Sequence, residues 1–226
     1  MCSSDLGLVP LAFVTLFGER GDIRATYWAF ALYSSVLWSV FFYSVFPAPR
    51  IRTLLSAVAF FGNAFCGTSV LLLLYWGTPL LAVKKLALSA HLAVRAAGFI
   101  LGVGVPEELC KLLPIVFILR NYSPLPRNTL IFYGLIAGLG FGIYEGLSYQ
   151  MGVNFQLAQG QLEQYYILNI LRVTTLPFLH AIWTGIACYF LGHAQQHSRR
   201  KVGLTLLAIL GPGLLHGAYD TFCMSV

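Results

Sequence analysis

A backbone N–H or C=O that enters a lipid bilayer must find its partner inside the protein, so only helices and closed barrels span membranes. This chain offers such stretches repeatedly. "TLIFYGLIAGLGFGIYEGLSYQ", residues 129–150, carries a single charge, Glu145. About 20 apolar residues are needed to cross the hydrocarbon core, and comparable runs lie at 25–46, 53–76, 104–120, 171–193 and 202–222. Only 10% of the 226 residues are charged, against about 25% in a soluble domain. The expectation is an all-α, polytopic transmembrane bundle of about 6–8 membrane helices. No long polar linker or repeat divides it, so 1–226 reads as a single integral membrane domain.

Residues 79–101 are long enough to cross, yet Lys84, His91 and Arg95 fall at i, i+7 and i+11, on one stripe of a continuous helix. A Lys or Arg at the bilayer centre costs about 2.5–3.5 kcal/mol on insertion scales. An interfacial amphipathic helix is the cheaper reading, and a spanning helix with its charged stripe turned into the bundle is the alternative. If 79–101 stays on one face, Arg50 and Arg52, Arg120 and Arg127, and Arg199, Arg200 and Lys201 gather on the same side. "GERGDIR", neutral overall, and the 151–164 loop, with Glu163 and no Lys or Arg, take the other. Basic loops stay cytoplasmic, so the 120–127 turn is expected inside and the 151–164 loop outside.

The net charge of +6 therefore reads as topology signal and lipid headgroup contact, not as a nucleic-acid surface. The five cysteines show no C-x-x-C pair and read as small packing residues. Near the N-terminus, "LGLVPLAFVTLF" lacks the basic flank and small-residue cleavage site of a signal peptide.

Ionisable residues inside spans are costly and mark function by default. Glu107, Glu108, Glu145 and Asp220 lie within or at the ends of predicted spans, as do Lys111, His180 and His216. With a rise of 1.5 Å per residue, most of them fall within about 15 Å of one membrane face, where they could meet around a wet cavity. Gly134, Gly138, Gly142 and Gly146 recur every four residues and form a small-residue ridge for a close helix neighbour. That ridge would carry Glu145 inward. Pro114, Pro177 and Pro212 each free a backbone carbonyl near Lys111, His180 and His216. His193 and His197, at i and i+4 beside "SRRK", read as interfacial residues and not as a metal pair.

Read together, "EELCK" (E-E-x-x-K), "FGIYE" (F-x-x-x-E), the His180 segment "FLHAIWTG" and "HGAYD" (H-x-x-x-D) occur in order on successive apolar helices. The chain resembles the PrsW family of bacterial intramembrane proteases, relatives of the CAAX prenyl endopeptidase (Rce1-like) and CPBP families and, more distantly, of APH-1. The resemblance covers about 100–222, the expected protease core. Residues 1–99 add less specific N-terminal helices. CAAX and CPBP relatives have F-x-x-x-H where this chain has Glu145, so prenyl-protein processing is disfavoured. The resemblance implies a multi-pass protein of the bacterial cytoplasmic membrane. It implies cleavage of a membrane-anchored protein near the extracytoplasmic face, as in site-1 cleavage of an anti-sigma factor.

Peptide hydrolysis needs an activated water, an oxyanion stabiliser and a proton donor for the leaving amine. Glu107 or Glu108 could serve as base, with Lys111 pairing one of them. Glu145, His180 and His216, beside Asp220, could hold Zn²⁺. Alternatively, no cofactor is present and the imidazoles donate hydrogen bonds to the oxyanion; the metal-free, glutamic-type scheme is the one favoured. The rival readings are a proton- or ion-coupled transporter, which would place its polar groups at the midplane within an inverted repeat, and a silent APH-1-like scaffold. The residues leave the oligomeric state open.

Overall fold

The computed structural model describes residues 23–151 and 162–223, and every element among them is helical. The N-terminal apolar segment, Asp5, Glu19, Asp22 and most of the 151–164 loop lie outside the described residues. Five segments among the described residues are long and apolar enough to cross a membrane, one fewer than the six spans read from the sequence.

The first crossing segment, α1 (Ile23–Val45), ends just before the Pro47–Ala48–Pro49 turn. The second is α2 (Thr53–Phe61) continued through a π-helical turn (Gly62–Gly67) into α3 (Thr68–Gly77). The last three are α8 (Arg127–Met151), α9 (Leu162–Gln196) and α10 (Lys201–Cys223). Pro177 and Pro212 stay inside α9 and α10 without ending them. The sequence boundaries hold to a few residues, except that α9 begins nine residues before its expected start.

Two expectations change. Residues 79–101 do not form one helix. Instead α4 (Leu80–Lys85) and a 3₁₀ turn (Leu86–Leu88) fold back on α5 (Leu92–Phe99) and a second π-helical turn (Ile100–Gly104). The Ser89 hydroxyl accepts the His91 N–H (3.2 Å) in the bend. Gly98 and Gly102 let the backbones touch: a Cβ at Gly98 would strike Leu86 and Ala87, and one at Gly102 would lie 2.6 Å from Lys84 Cα. Lys84 and Arg95 thus belong to opposite arms of a hairpin, and the single charged stripe does not exist.

The second change concerns 104–120, read as one span. It is α6 (Val105–Lys111) and α7 (Leu113–Tyr122), broken at Leu112. Pro114 has no N–H to offer the Cys110 carbonyl and its ring crowds that carbonyl. The chain responds with a tight Leu112 N–H to Leu109 O bond (3.2 Å).

Helix α8 is the axis of the bundle: 83% of its apolar window is buried, against 50% or less in the other crossing segments. Its glycine ridge lies against α9. A Cβ at Gly134 would meet Cys188, one at Gly138 would meet His180 and Thr184, and one at Gly142 would meet Pro177. A Cβ at Gly140 would strike the Phe60 carbonyl on the opposite face. Another glycine contact joins α10 to α6, where Gly213 and Gly217 lie on Ile100, Gly104 and Val105. Trp38, Phe41 and Phe42 pin α1 to Phe178 of α9, with Trp38 Nε1–H donating to Thr174 O (2.9 Å).

Candidate active site

The two glycine seams decide what meets inside the bundle. The α8–α9 seam brings Glu145 to His180, whose Nε2 lies 2.9 Å from Glu145 Oε2. The α6–α10 seam sets His216 over the glutamate pair: Nδ1 is 3.1 Å from Glu108 Oε1, and Nε2 is 3.8 Å from Glu107 Oε2. Asp220, one turn on, places Oδ2 3.4 Å from the same Nε2. Lys111 Nζ sits 2.6 Å from Glu108 Oε1 and 3.9 Å from Glu107 Oε2. All seven charged or ionisable candidates therefore converge. Glu108, Lys111 and His180 are fully buried, Glu107 and His216 nearly so, and Glu145 and Asp220 keep a modest exposed edge.

Helix geometry puts them at one level. Glu145, His216 and His180 are about 27, 22 and 24 Å, at 1.5 Å per residue, from Arg127, Lys201 and Gln196 at the basic ends of their helices. Beyond this level α8 and α10 run on for six and seven residues, whereas α9 continues for 18 residues, about 27 Å, to Leu162.

The hydrogen bonds assign roles. A carboxylate only accepts, so His216 Nδ1 carries the proton it donates to Glu108. Its Nε2 faces Glu107 and Asp220, two further carboxylates. The His180–Glu145 contact is short but misaligned. Among the described residues, Glu107 Oε2, Glu145 Oε2 and both His180 ring nitrogens are buried without a hydrogen-bond partner. Among the described residues four carboxylates gather here: Lys111 pairs with Glu107 and Glu108, while Glu145 and Asp220 face His180 and His216. Buried negative charge left uncompensated is costly.

The donor set suits a divalent cation. One donor atom each from Glu107, His180 and His216 lies within 4.8 Å of the others, and two imidazoles with a carboxylate are a zinc donor set. The set differs from the sequence expectation, since Glu107 stands where Glu145 was assigned. The bond from Glu108 to the outer nitrogen of His216 is the second contact that orients a ligating imidazole.

Two contributors were not singled out in the sequence. Trp183 stacks on His216 (centroids 4.2 Å apart, 18° between planes) and meets His180 edge-on (5.2 Å). With Phe141 it also brackets the Lys111 ammonium (4.5 and 5.8 Å). Asn63, buried in the π turn, donates to Lys111 O (3.3 Å) and Ala137 O (2.8 Å), tying the α6 break to α8. A lone amide within an apolar span was its signal. His193 and His197 stay apart from the site: Arg127 donates to His193 Nε2 (3.1 Å), and His197 Nδ1 lies 3.1 Å from the His193 carbonyl.

A helical membrane bundle with a buried centre of acids and imidazoles drawn from four helices carries chemistry within its apolar spans. Residues 51–226 match the model of the PrsW family, described as PrsW family intramembrane metalloprotease. The chain belongs to that family, and is an integral membrane protein and an intramembrane protease by that membership. No curated protein and no solved structure matches it.

Proposed function

We propose that the protein hydrolyses a peptide bond of a membrane-anchored protein near the extracytoplasmic face, in the manner of site-1 cleavage of an anti-sigma factor, and that Zn²⁺ takes part. The observation that carries this reading is the set of buried, unpartnered oxygens and nitrogens of Glu107, Glu145 and His180 beside His216. The side of the membrane rests on the basic loops Arg50–Arg52, Arg120–Arg127 and Arg199–Lys201, which belong in the cytoplasm by the positive-inside rule.

In this scheme His180, His216 and Glu107 hold the ion. When bound, it supplies Lewis acidity toward the scissile carbonyl and eases ionisation of a water. Glu145, the more exposed acid beside His180, accepts the proton of the attacking water and delivers it to the leaving amine. Glu108 fixes the His216 tautomer. Lys111 neutralises Glu108 and is too buried to touch substrate, so it is a positioning residue. Asp220 adds negative charge beside His216 Nε2 and strengthens the site for a cation. The metal-free scheme favoured by the sequence leaves these buried atoms of Glu107, Glu145 and His180 unpartnered, which is why the metal-dependent one is preferred here.

The test uses purified full-length protein in nanodiscs with a membrane-anchored substrate, reading cleavage and zinc content separately. Glu145→Gln should lower kcat by about 10²–10⁴ and retain zinc. His180→Ala and His216→Ala should lose both. A Glu145→Gln variant that cleaves at the wild-type rate rejects the assigned base. Full activity in protein stripped of zinc rejects the metal scheme while leaving the protease standing.

A further inference from the structure

At the basic end of the bundle, the linker 46–52 between α1 and α2 is held in an unusual shape. Arg50 has φ 60°, a left-handed conformation that residues with side chains rarely adopt and that persists only where the surroundings impose it. Three side chains of α8 impose it here. Asn128 Nδ2 donates to Pro47 O (3.2 Å), the Thr129 hydroxyl donates to Pro49 O, and the Tyr133 hydroxyl accepts the Arg52 N–H (3.0 Å). Thr129 and Tyr133 are fully buried, so the anchor is rigid, while the Arg50 side chain stands exposed.

Arg50 borders a chamber of about 410 Å³ with Tyr43, Pro47 and Ile51. Tyr43 and Ile51 also border a second space of about 500 Å³, an apolar groove between α1 and α2 walled by Val36, Val40, Ala57 and Phe61. The two spaces are neighbours across Tyr43 and Ile51, the first at the charged end of the helices and the second between α1 and α2. Arg52 is committed elsewhere, its guanidinium 5.9 Å from the centre of the Tyr122 ring of α7.

We propose that this is a binding site for an anionic glycerophospholipid, with the phosphate at Arg50 and one acyl chain in the α1–α2 groove. Basic pockets between membrane helices bind anionic headgroups by the same charge complementarity. None of the lining residues belongs to the acid–imidazole centre, so the site stands independently of the protease reading.

The test is lipid competition on the purified full-length protein, with dioleoyl phosphatidylglycerol against dioleoyl phosphatidylcholine as probes and retained lipid read by native mass spectrometry. The wild type should favour phosphatidylglycerol, Arg50 contributing about fivefold. Arg50→Gln should reduce that preference about fivefold, and Arg50→Lys should keep it. Ala57→Phe, which fills the groove, should lower retention of both lipids; Val40→Trp on the facing wall serves the same purpose where Ala57→Phe does not fold. Equal retention of the two lipids by the wild type overturns the proposal, as does an unchanged preference in Arg50→Gln. Wild-type retention in the groove-filling variant also overturns it. So does a dimer mass that Ala57→Phe abolishes, since a second copy of the chain would then be the occupant.

Discussion

Replacing Gly138 with Ala adds one methyl group that touches no catalytic atom, yet it should disable the centre. The new Cβ would lie 2.6 Å from the His180 carbonyl carbon and 2.7 Å from Thr184 Oγ1. Optimal carbon contacts are at about 3.5–4.0 Å, so α8 and α9 must part by about 1 Å. Overpacking of this kind costs about 1–3 kcal/mol, which a bundle with so central an α8 can absorb without unfolding. The catalytic cost is larger, because a misplacement of about 1 Å costs about 10²-fold in rate. Here it falls on His180 and Glu145, which sit on the two helices being separated. The assay compares kcat on a membrane-anchored substrate with the unfolding midpoint. Gly203→Ala and Gly211→Ala in α10, where a Cβ meets nothing within 4 Å, serve as controls. Both should keep wild-type kcat, with stability unchanged or raised by up to about 1 kcal/mol from helix propensity. A Gly138→Ala protein that is folded and within threefold of wild-type kcat would refute the view that the glycine seam sets the geometry of the centre.

Other expectations follow from the buried contacts. Lys111→Met strands Glu108 without its ammonium partner and should cost about 3–5 kcal/mol; adding Glu108→Gln should recover part of this in a double-mutant cycle of unfolding free energies. Asn63→Leu removes two interhelical hydrogen bonds and should cost about 1–3 kcal/mol at roughly 0.6–1.7 kcal/mol each, measured by steric trapping in micelles.

What could be read in advance was whatever depends on spacing along one helix. Four glycines at four-residue intervals announced the α8–α9 seam, and the same spacing carried Glu145 to its place. Acids and imidazoles in apolar spans stood out because lipid makes each of them expensive. The hairpin at 79–101 escaped because a charged stripe was drawn on a helix assumed continuous; Gly98 and Gly102, four apart, held the opposite signal. The exchange of Glu107 for Glu145 among the donors within reach of two imidazoles depends on how α6 is rotated against α10, which no single-helix pattern encodes. Asn63 carries no charge to set it beside the acids and imidazoles, and its two carbonyl partners lie 48 and 74 residues away.

The contact of Gly213 and Gly217 with Gly104 and its neighbours has a mechanical meaning. Main-chain atoms of Ile100, Gly104 and Val105 come against Gly213 and Gly217, with the Val105 and Ile100 side chains beside them. A methyl group added at any of these three glycines would act as a wedge, prising the glutamate pair away from His216.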